Sequence, residues 1–215
     1  MNTSKICYIA GGGADYGLSF IPRPEDLVIA ADAGFCYLER QKIAADYVIG
    51  DFDSLSYIPQ TPSVTVLSPE KDVTDMSAAV SIGIENGYDL FYLYGGTGGR
   101  IDHTIANLQL LADLASQGKQ GFLFDHSSII TAIRNSSLTF GEISSGYVSV
   151  FSHSEQSTGV YLKGLRYELV DATLKNTFPL GVSNEFTGNP SSITVQNGTL
   201  LIVLPAGSLG QIKYL

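Results

Sequence analysis

Asp51 and Asp53 stand two residues apart in YVIGDFDSL (47–55), directly after an apolar run. In an extended chain such a pair points the same way, with Cα atoms roughly 6.6 Å apart. Two like-directed carboxylates suit a hard divalent cation such as Mg²⁺, which takes carboxylate oxygens together with waters and phosphate oxygens. Taken alone, D-x-D is also an ordinary acidic turn. Asp72 and Asp75 follow in PEKDVTDMSAAV (69–80), where Thr74 or Asp72 can cap the next helix and Asp75 falls in its first turn. Asp32 follows another apolar run, Leu27–Ala31. If these runs are neighbouring strands, Asp32, Asp51, Asp53, Asp72 and Asp75 gather along one sheet edge. Two carboxylates ~5 Å apart repel by about 3 kcal/mol at an effective dielectric of about 20. A cluster of this kind needs cations or protons.

The segment LYGGTGGRIDHTIANLQLL (93–111) reads strand, glycine loop, helix. Gly95, Gly96, Gly98 and Gly99 can bare backbone N–H groups to a phosphate, the order that a phosphate cradle requires. Arg100 adds a planar guanidinium suited to bidentate phosphate contact. Asp102 can cap the helix, and His103 stands in its first turn. The loop lacks the Lys-Ser/Thr ending of a Walker A motif and does not fit G-x-G-x-x-G. A second glycine run, GGGADYG (11–17), also follows an apolar stretch. His103, His126 and His153 are isolated, with no H-E-x-x-H or C-x-x-C, and G-x-S-x-G is absent. The residue types point to phosphates and metal rather than to a covalent intermediate.

Positioning these residues requires a particular scaffold. Up to Asp125 the apolar runs Ile6–Ala10, Leu27–Ala31, Tyr47–Ile49, Val64–Leu67, Leu90–Tyr94 and Phe122–Phe124 alternate with helical patterns. Those patterns cover Phe35–Lys42, Met76–Glu85 and Thr104–Ser116. In the last, Ile105, Leu108, Leu111, Ala112 and Ala115 mark the expected apolar face, and Gly118 is placed to stop it. The alternation predicts a mostly parallel α/β sheet, whose ligands bind beyond the carboxyl ends of the strands. After about Ser127 the helical period disappears. Ser128–Ile133, Tyr147–Ser152, Val160–Lys163, Tyr167–Ala172, Ile193–Val195 and Leu200–Leu204 read as short strands, and Asn197-Gly198 as a hairpin turn. The expected fold is therefore an N-terminal mostly parallel α/β domain, 1–126, followed by a C-terminal antiparallel β-sandwich, 127–215.

Composition narrows the classes further. Twelve Lys and Arg against 21 Asp and Glu leave a formal charge of −9, unsuited to gripping nucleic acid or an anionic membrane. Two cysteines, Cys7 and Cys36, are too few for a disulfide framework and sit in apolar surroundings, where a reduced, packed thiol is expected. There is no 18-residue apolar run, and the apolar stretch in MNTSKICYIAGGG is too short for a signal-peptide core. These features lead us to expect a soluble, cytoplasmic protein.

GDFDSL (50–55), EKDVTDM (70–76), GGTGGRIDH (95–103) and GVSNEF (181–186) together resemble the thiamine pyrophosphokinase family, in order and at similar spacing, from about Ile9 to the end of the chain. The resemblance implies an α/β catalytic domain, a β-sandwich, and a homodimer with thiamine bound between subunits. It also implies ATP as co-substrate, with thiamine diphosphate and AMP as products. In the family's pattern Asp51, Asp53 and Asp75 correspond to Mg²⁺ ligands, with Asp72 beside them in the catalytic set. Arg100 and Asp102 correspond to nucleotide contacts, joined by Gly96, Gly98, Gly99 and His103. Thr74, Asp75 and Ser183 correspond to the thiamine pocket, to which Asp32 and Asn184 are added. Some relatives stack the pyrimidine on a Trp, and this chain has none.

The expected reaction is attack of the thiamine hydroxyl on the β-phosphorus of MgATP with AMP leaving. Positioning and charge neutralisation dominate such a transfer. Asp75 can also orient the hydroxyl, and no side chain stands out as a general base. Two other readings remain at this level: a Mg²⁺-dependent nucleotide hydrolase, and a binding module with degenerate loops.

Overall fold

The structure, a computed structural model, describes residues 4–50, 64–66 and 73–214. Contacts divide the chain into two units, the first reaching Leu110 and including Gly121–Asp125, the second holding Leu111–Gln120 and everything from His126 on.

In the first unit the chain runs β1 (Cys7–Ala10), β2 (Leu27–Ala31), α1 (Gly34–Arg40), β3 (Tyr47–Gly50), β4 (Val64–Val66), α2 (Asp75–Glu85), β5 (Leu90–Tyr94), α3 (Ile101–Ser116) and β6 (Gln120–Phe124). The last turns of α3 and the first residue of β6 belong to the second unit. The strand order is β6-β5-β1-β2-β3-β4, and β1 pairs parallel with both β2 and β5. From β1 the chain therefore winds outward through β2, β3 and β4, then returns to β1's other side as β5. That reversal makes a topological switch point between β1 and β5, where open α/β sheets bind ligands.

Both faces of this sheet are covered, which is why its strands read as unbroken apolar runs rather than alternating ones. On one face Tyr8, Ala10, Val28, Ala30 and Val48 pack with Phe35 and Leu38 of α1. The alternate residues Cys7, Ile9, Ile29, Phe91 and Leu93 are fully buried as well. Helix α2 reaches this second set: a Cβ on Gly83 would lie 2.6 Å from the Phe91 ring and 2.8 Å from Cys7 Sγ. Burial pushes the Cys7 thiol up to about 12, so it is an inert packing group. Helix α1 begins closer still to the sheet. A Cβ on Gly34 would stand 1.9 Å from the Ala10 carbonyl oxygen, a distance only glycine permits.

Helix α3 is rotated from the face its spacing suggests. Its buried residues are Asn107, Leu111, Ala112 and Leu114, whereas Ile105 is half exposed and Ile101 largely so. The reason is polar: the Asn107 amide is committed to the carbonyl of Gly96, and that anchor sets which side of the helix turns inward. Gly118, at φ +71, ends the helix as expected.

The second unit contains β7 (Ser128–Arg134), β8 (Ser137–Phe140), β9 (Tyr147–Ser152), β10 (Gln156–Lys163), β11 (Leu169–Lys175), β12 (Gly181–Glu185), β13 (Ser191–Asn197), β14 (Thr199–Pro205), a 3-10 turn at Ala206–Gln211, and β15 (Ile212–Tyr214). Strands β12-β9-β14-β7 run antiparallel in that order, and β11-β10-β13-β8-β15 form the facing sheet. Val148, Val150, Leu200 and Ile202 from the first set share one core with Leu138, Val160, Leu162, Ile193 and Val195 from the other. The unit is the antiparallel sandwich that the strand pattern predicts.

The hairpin expected at Asn197-Gly198 is not formed. β13 pairs with β10 and β8, while β14 pairs with β7 and β9. The turn carries the chain from one sheet to the other. Gly198 takes φ +115 and exchanges hydrogen bonds with Asn135, its N–H donating to Asn135 Oδ1 at 2.8 Å. Both strands bury one full apolar face, so each is better satisfied in its own layer than by pairing with the other.

Candidate functional site

β1 runs into Gly11–Gly13 and β5 into Gly95–Gly99, and the two loops are joined by backbone. Gly11 N–H donates to Tyr94 O at 2.8 Å, Gly13 N–H to Gly95 O at 2.7 Å, and Ala14 N–H to Thr97 O at 2.8 Å. The fit leaves no room for side chains. A Cβ on Gly95, itself at φ +61, would lie 2.2 Å from the Gly11 carbonyl oxygen. Several of these glycines therefore serve the contact between loops, a role that either run read separately does not reveal.

Two side chains pin the second loop. Thr97 Oγ1 and Asp125 Oδ1 are 2.6 Å apart, with Thr97 buried at the loop's centre. Asn107 Nδ2, on the second turn of α3, donates to Gly96 O at 2.8 Å. On the first loop, the Tyr37 hydroxyl of α1 donates to Gly13 O at 2.5 Å. Asn107, Thr97 and Asp125 were not singled out by sequence reasoning. The available signal was Asn107 itself, an amide four residues before the buried Leu111 and four after His103, on one helix face.

Above the loops lies a crevice of about 350 Å³, within the range of small-molecule sites. Of the expected site residues, Asp32, Asp75, Gly96, Gly99, Arg100 and His103 all line it. Asp32 follows β2 in a left-handed conformation, φ +52. Its N–H donates to Ile49 O at 2.7 Å and its carbonyl accepts from Phe35 N–H at 3.2 Å. A strained backbone at a strand end beside a crevice fits a residue held for function. Asp75 opens α2, whose first turn is capped by Thr74: Ser77 N–H donates to Thr74 Oγ1 at 3.2 Å. Thr74 itself does not line the crevice, nor do Gly98 and Asp102.

Arg100 is paired with Asp102 through Nη2 at 2.5 Å and Nε at 3.2 Å, both side chains mostly exposed. The hydrogen bond from the guanidinium holds the Asp102 carboxyl below the usual carboxylate range and raises Arg100 in turn. Asp102 also accepts the His103 N–H at 3.0 Å. The pair presents Arg100 at the crevice mouth with its planar fork oriented.

Asp51, Asp53 and Asp72 lie outside the described residues. Among the described residues no three His, Cys, Asp or Glu side chains group as a metal site. Asp32 and Asp75 nevertheless bring two hard oxygen donors to one crevice, the donor type that Mg²⁺ takes.

Ser183 and Asn184 belong to the second unit. β12 carries one extra residue against β9, since Gly181 pairs with Val150 and Asn184 with Val148. Ser183 sits in that bulge at φ +58, its N–H donating to Ser149 Oγ at 3.0 Å. Bulges of this kind re-aim a side chain. Asn184 is buried, and its amide is spent on backbone. Oδ1 accepts from Tyr167 N–H and Glu185 N–H, both at 2.9 Å, and Nδ2 donates to Tyr167 O at 2.7 Å.

A doubly covered, mostly parallel sheet with two interlocked glycine loops, an arginine and two carboxylates at its switch point belongs to the class of α/β proteins that handle phosphate-bearing ligands. Residues 22–123 match the family described as "Thiamin pyrophosphokinase, catalytic domain", and residues 136–200 match "Thiamin pyrophosphokinase, vitamin B1 binding domain". The chain belongs to the thiamine pyrophosphokinase family. It is similar to the thiamine pyrophosphokinase of Bacillus subtilis (strain 168), 27% identical over 184 residues that cover 82% of this chain and 86% of that one. A Caenorhabditis elegans thiamin pyrophosphokinase is 26% identical over 187 residues, covering 81% and 76%. The crystal structure of the Bacillus subtilis thiamine pyrophosphokinase superposes with a TM-score of 0.82 at 26% identity, over 94% of this chain and 99% of that one.

Proposed function

We propose that the chain transfers the pyrophosphoryl group of ATP to the hydroxyl of thiamine, giving thiamine diphosphate and AMP, in the crevice between the β1 and β5 loops. The observation that carries this reading is that the catalytic-domain match, 22–123, takes in the crevice's Asp32, Asp75, Gly96, Arg100 and His103. Arg100 meets phosphate oxygens, releasing or sharing Asp102 as it does so, and the interlocked loops keep the phosphates in line. Asp75, at the start of α2, accepts a hydrogen bond from the thiamine hydroxyl and orients it towards the β-phosphorus. The new bond joins that oxygen to the β-phosphorus, the bond between the α–β bridging oxygen and the β-phosphorus breaks, AMP departs with the bridging oxygen, and the hydroxyl proton is released to solvent. Charge neutralisation and alignment carry such a transfer, and little covalent work falls to the protein.

Mg²⁺ would be held by Asp75 together with Asp51 and Asp53, with Asp32 and Asp72 close in the same acidic set. When bound, it neutralises phosphate charge. Gly96, Gly98, Gly99, Asp102 and His103 complete the nucleotide side.

Thiamine would reach the crevice with Ser183 beside Asp75 and Thr74, in a homodimer whose sites use both chains. Two features support this. Ser183 is re-aimed by the β12 bulge, and Asn184 holds the neighbouring Tyr167 segment in place. The edge strands β11 and β12 and their surroundings also expose Tyr147, Tyr167, Val170, Phe178, Leu180 and Val182, apolar groups that a partner chain would cover. No described helix is long and apolar enough to cross a membrane. Free cysteines, Cys7 and Cys36, are in keeping with a cytoplasmic site of action.

The test measures AMP formation with and without thiamine. Release that depends on thiamine and matches thiamine diphosphate one for one is the expected result. AMP formed equally without thiamine would make the chain a nucleotide hydrolase.

A further inference from the structure

Asn107 is nearly sealed, at 5% exposure, and does two things with its two ends. Its Nδ2 is fixed on Gly96 O; since a carbonyl oxygen only accepts, the amide nitrogen must face it and Oδ1 must face the other way. Oδ1 has no hydrogen-bond partner among the described residues, yet it is not shut inside the protein. Among those residues only Ser191 Oγ is a sealed polar side-chain atom without a partner, so Asn107 Oδ1 opens on the crevice its residue lines. Once a ligand displaces water from the crevice, an acceptor left unpaired there costs on the scale of a lost hydrogen bond. It calls for a donor from whatever fills the crevice.

We propose that Asn107 Oδ1 accepts a hydrogen bond from the nucleoside part of the bound nucleotide and so sets nucleotide selectivity. The proposal rests on the reading that ATP occupies this crevice. Phosphate oxygens only accept at neutral pH, so the phosphates cannot satisfy Asn107. They belong at Arg100, the residue before α3 and seven before Asn107, about 10 Å away along the axis at 1.5 Å per residue. That span suits a nucleotide lying along the first two turns of α3, its phosphates at Arg100 and its nucleoside at Asn107. Thr104, one turn nearer Arg100, lines the crevice between them. The donors a purine nucleoside offers are the 6-amino group and the ribose 2′- and 3′-hydroxyls. A neutral amide oxygen accepts from any of them.

The experiment compares kcat/KM for ATP, inosine triphosphate, 2′-deoxy-ATP and 3′-deoxy-ATP in the wild-type chain and in Asn107→Ala. We expect one analogue, the one lacking the recognised donor, to be at least about tenfold poorer than ATP in the wild type. Asn107→Ala also frees Gly96 O, so every nucleotide loses activity, and the readout is the ratio: the wild-type preference for ATP over that analogue should fall to within about twofold of unity. KM for thiamine should hold. Asn107→Ser serves for the same comparison if the alanine variant does not fold. Equal use of all four nucleotides by the wild type overturns the proposal, and needs no variant. So does an equal loss with every nucleotide in the variants, which would leave Asn107 as a loop anchor only. If the wild type shows no thiamine-dependent turnover, the functional reading fails instead. Equilibrium dialysis with the same four nucleotides then decides the Asn107 proposal by the same pattern.

Discussion

Replacing Thr97 by Val keeps the side chain's shape and removes one hydroxyl, and so isolates the bond that holds the second glycine loop. The Thr97–Asp125 contact is short for a hydroxyl on a carboxylate, 2.6 Å, and Thr97 is 7% exposed. Bonds to a charged partner contribute about 1.5–3 kcal/mol. Asp125 is only partly buried and regains some water when its partner is lost, so we take about 2 kcal/mol for the change. For a chain of this size each kcal/mol moves Tm by roughly 2–4 °C, which predicts a melting point lower by about 4–8 °C. Thr97 also accepts the Ala14 N–H and so couples the two loops. If the whole loss were expressed in nucleotide binding, KM for ATP would rise roughly 30-fold, at about 1.4 kcal/mol per tenfold. We expect a rise between about threefold and that limit, with KM for thiamine unchanged. Differential scanning calorimetry and initial rates at varied ATP measure both quantities. A Tm within about 1 °C of wild type together with an unchanged KM for ATP would refute the claim that this bond organises the site.

Three further outcomes follow from named contacts. Asp26 is buried and accepts from Ile6 N–H, Arg23 N–H and the Arg23 guanidinium, the bonds falling between 2.8 and 3.0 Å. Burial raises its pKa, but the Arg23 hydrogen bonds and the backbone donors outweigh that and hold it below the ordinary value. Its contribution is therefore present above about pH 4 and lost as pH falls through the lower folded value. Asp26→Asn should cost about 3 kcal/mol in urea melts at pH 7, with the gap to wild type closing in acid. Asn184→Ala removes three backbone bonds at about 1 kcal/mol each, so it should lower stability by about 3 kcal/mol and raise KM for thiamine, with KM for ATP unmoved. Asp75→Asn and Ser183→Tyr, each inactive alone, should regain up to roughly a quarter of wild-type activity after joint refolding. Random pairing makes about half the dimers mixed, each with one intact site. Mixed dimers without recovery would place each site within a single chain.

Much of this was legible because it rests on local signals. Buried parallel strands such as Leu27–Ala31 and Leu90–Tyr94 must be apolar on both faces, and their carboxyl ends mark where ligand-handling residues stand. Asp32, Asp75 and Arg100 were readable for that reason. What escaped was set by long-range fit. β8, β12 and β15 are short strands with partly polar faces, defined only by their partners. The Asn197-Gly198 turn has a hairpin's residues, yet its flanks separate because each completes a different sheet. The glycines of the two loops were visible, but not that they face each other across the switch point. Nothing local ties Asn107 to Gly96 O, eleven residues earlier.

In the proposed reaction this crevice passes the two terminal phosphates of ATP together to thiamine. The most direct measurement uses γ-³²P-labelled ATP with thiamine and Mg²⁺, following the label and AMP in the wild-type chain and in Asp75→Asn. Label is expected in thiamine diphosphate, one for one with AMP, in the wild type, and neither product in a variant that melts like the wild type. Label released as inorganic phosphate with ADP, or wild-type transfer by the Asp75→Asn chain, would contradict it.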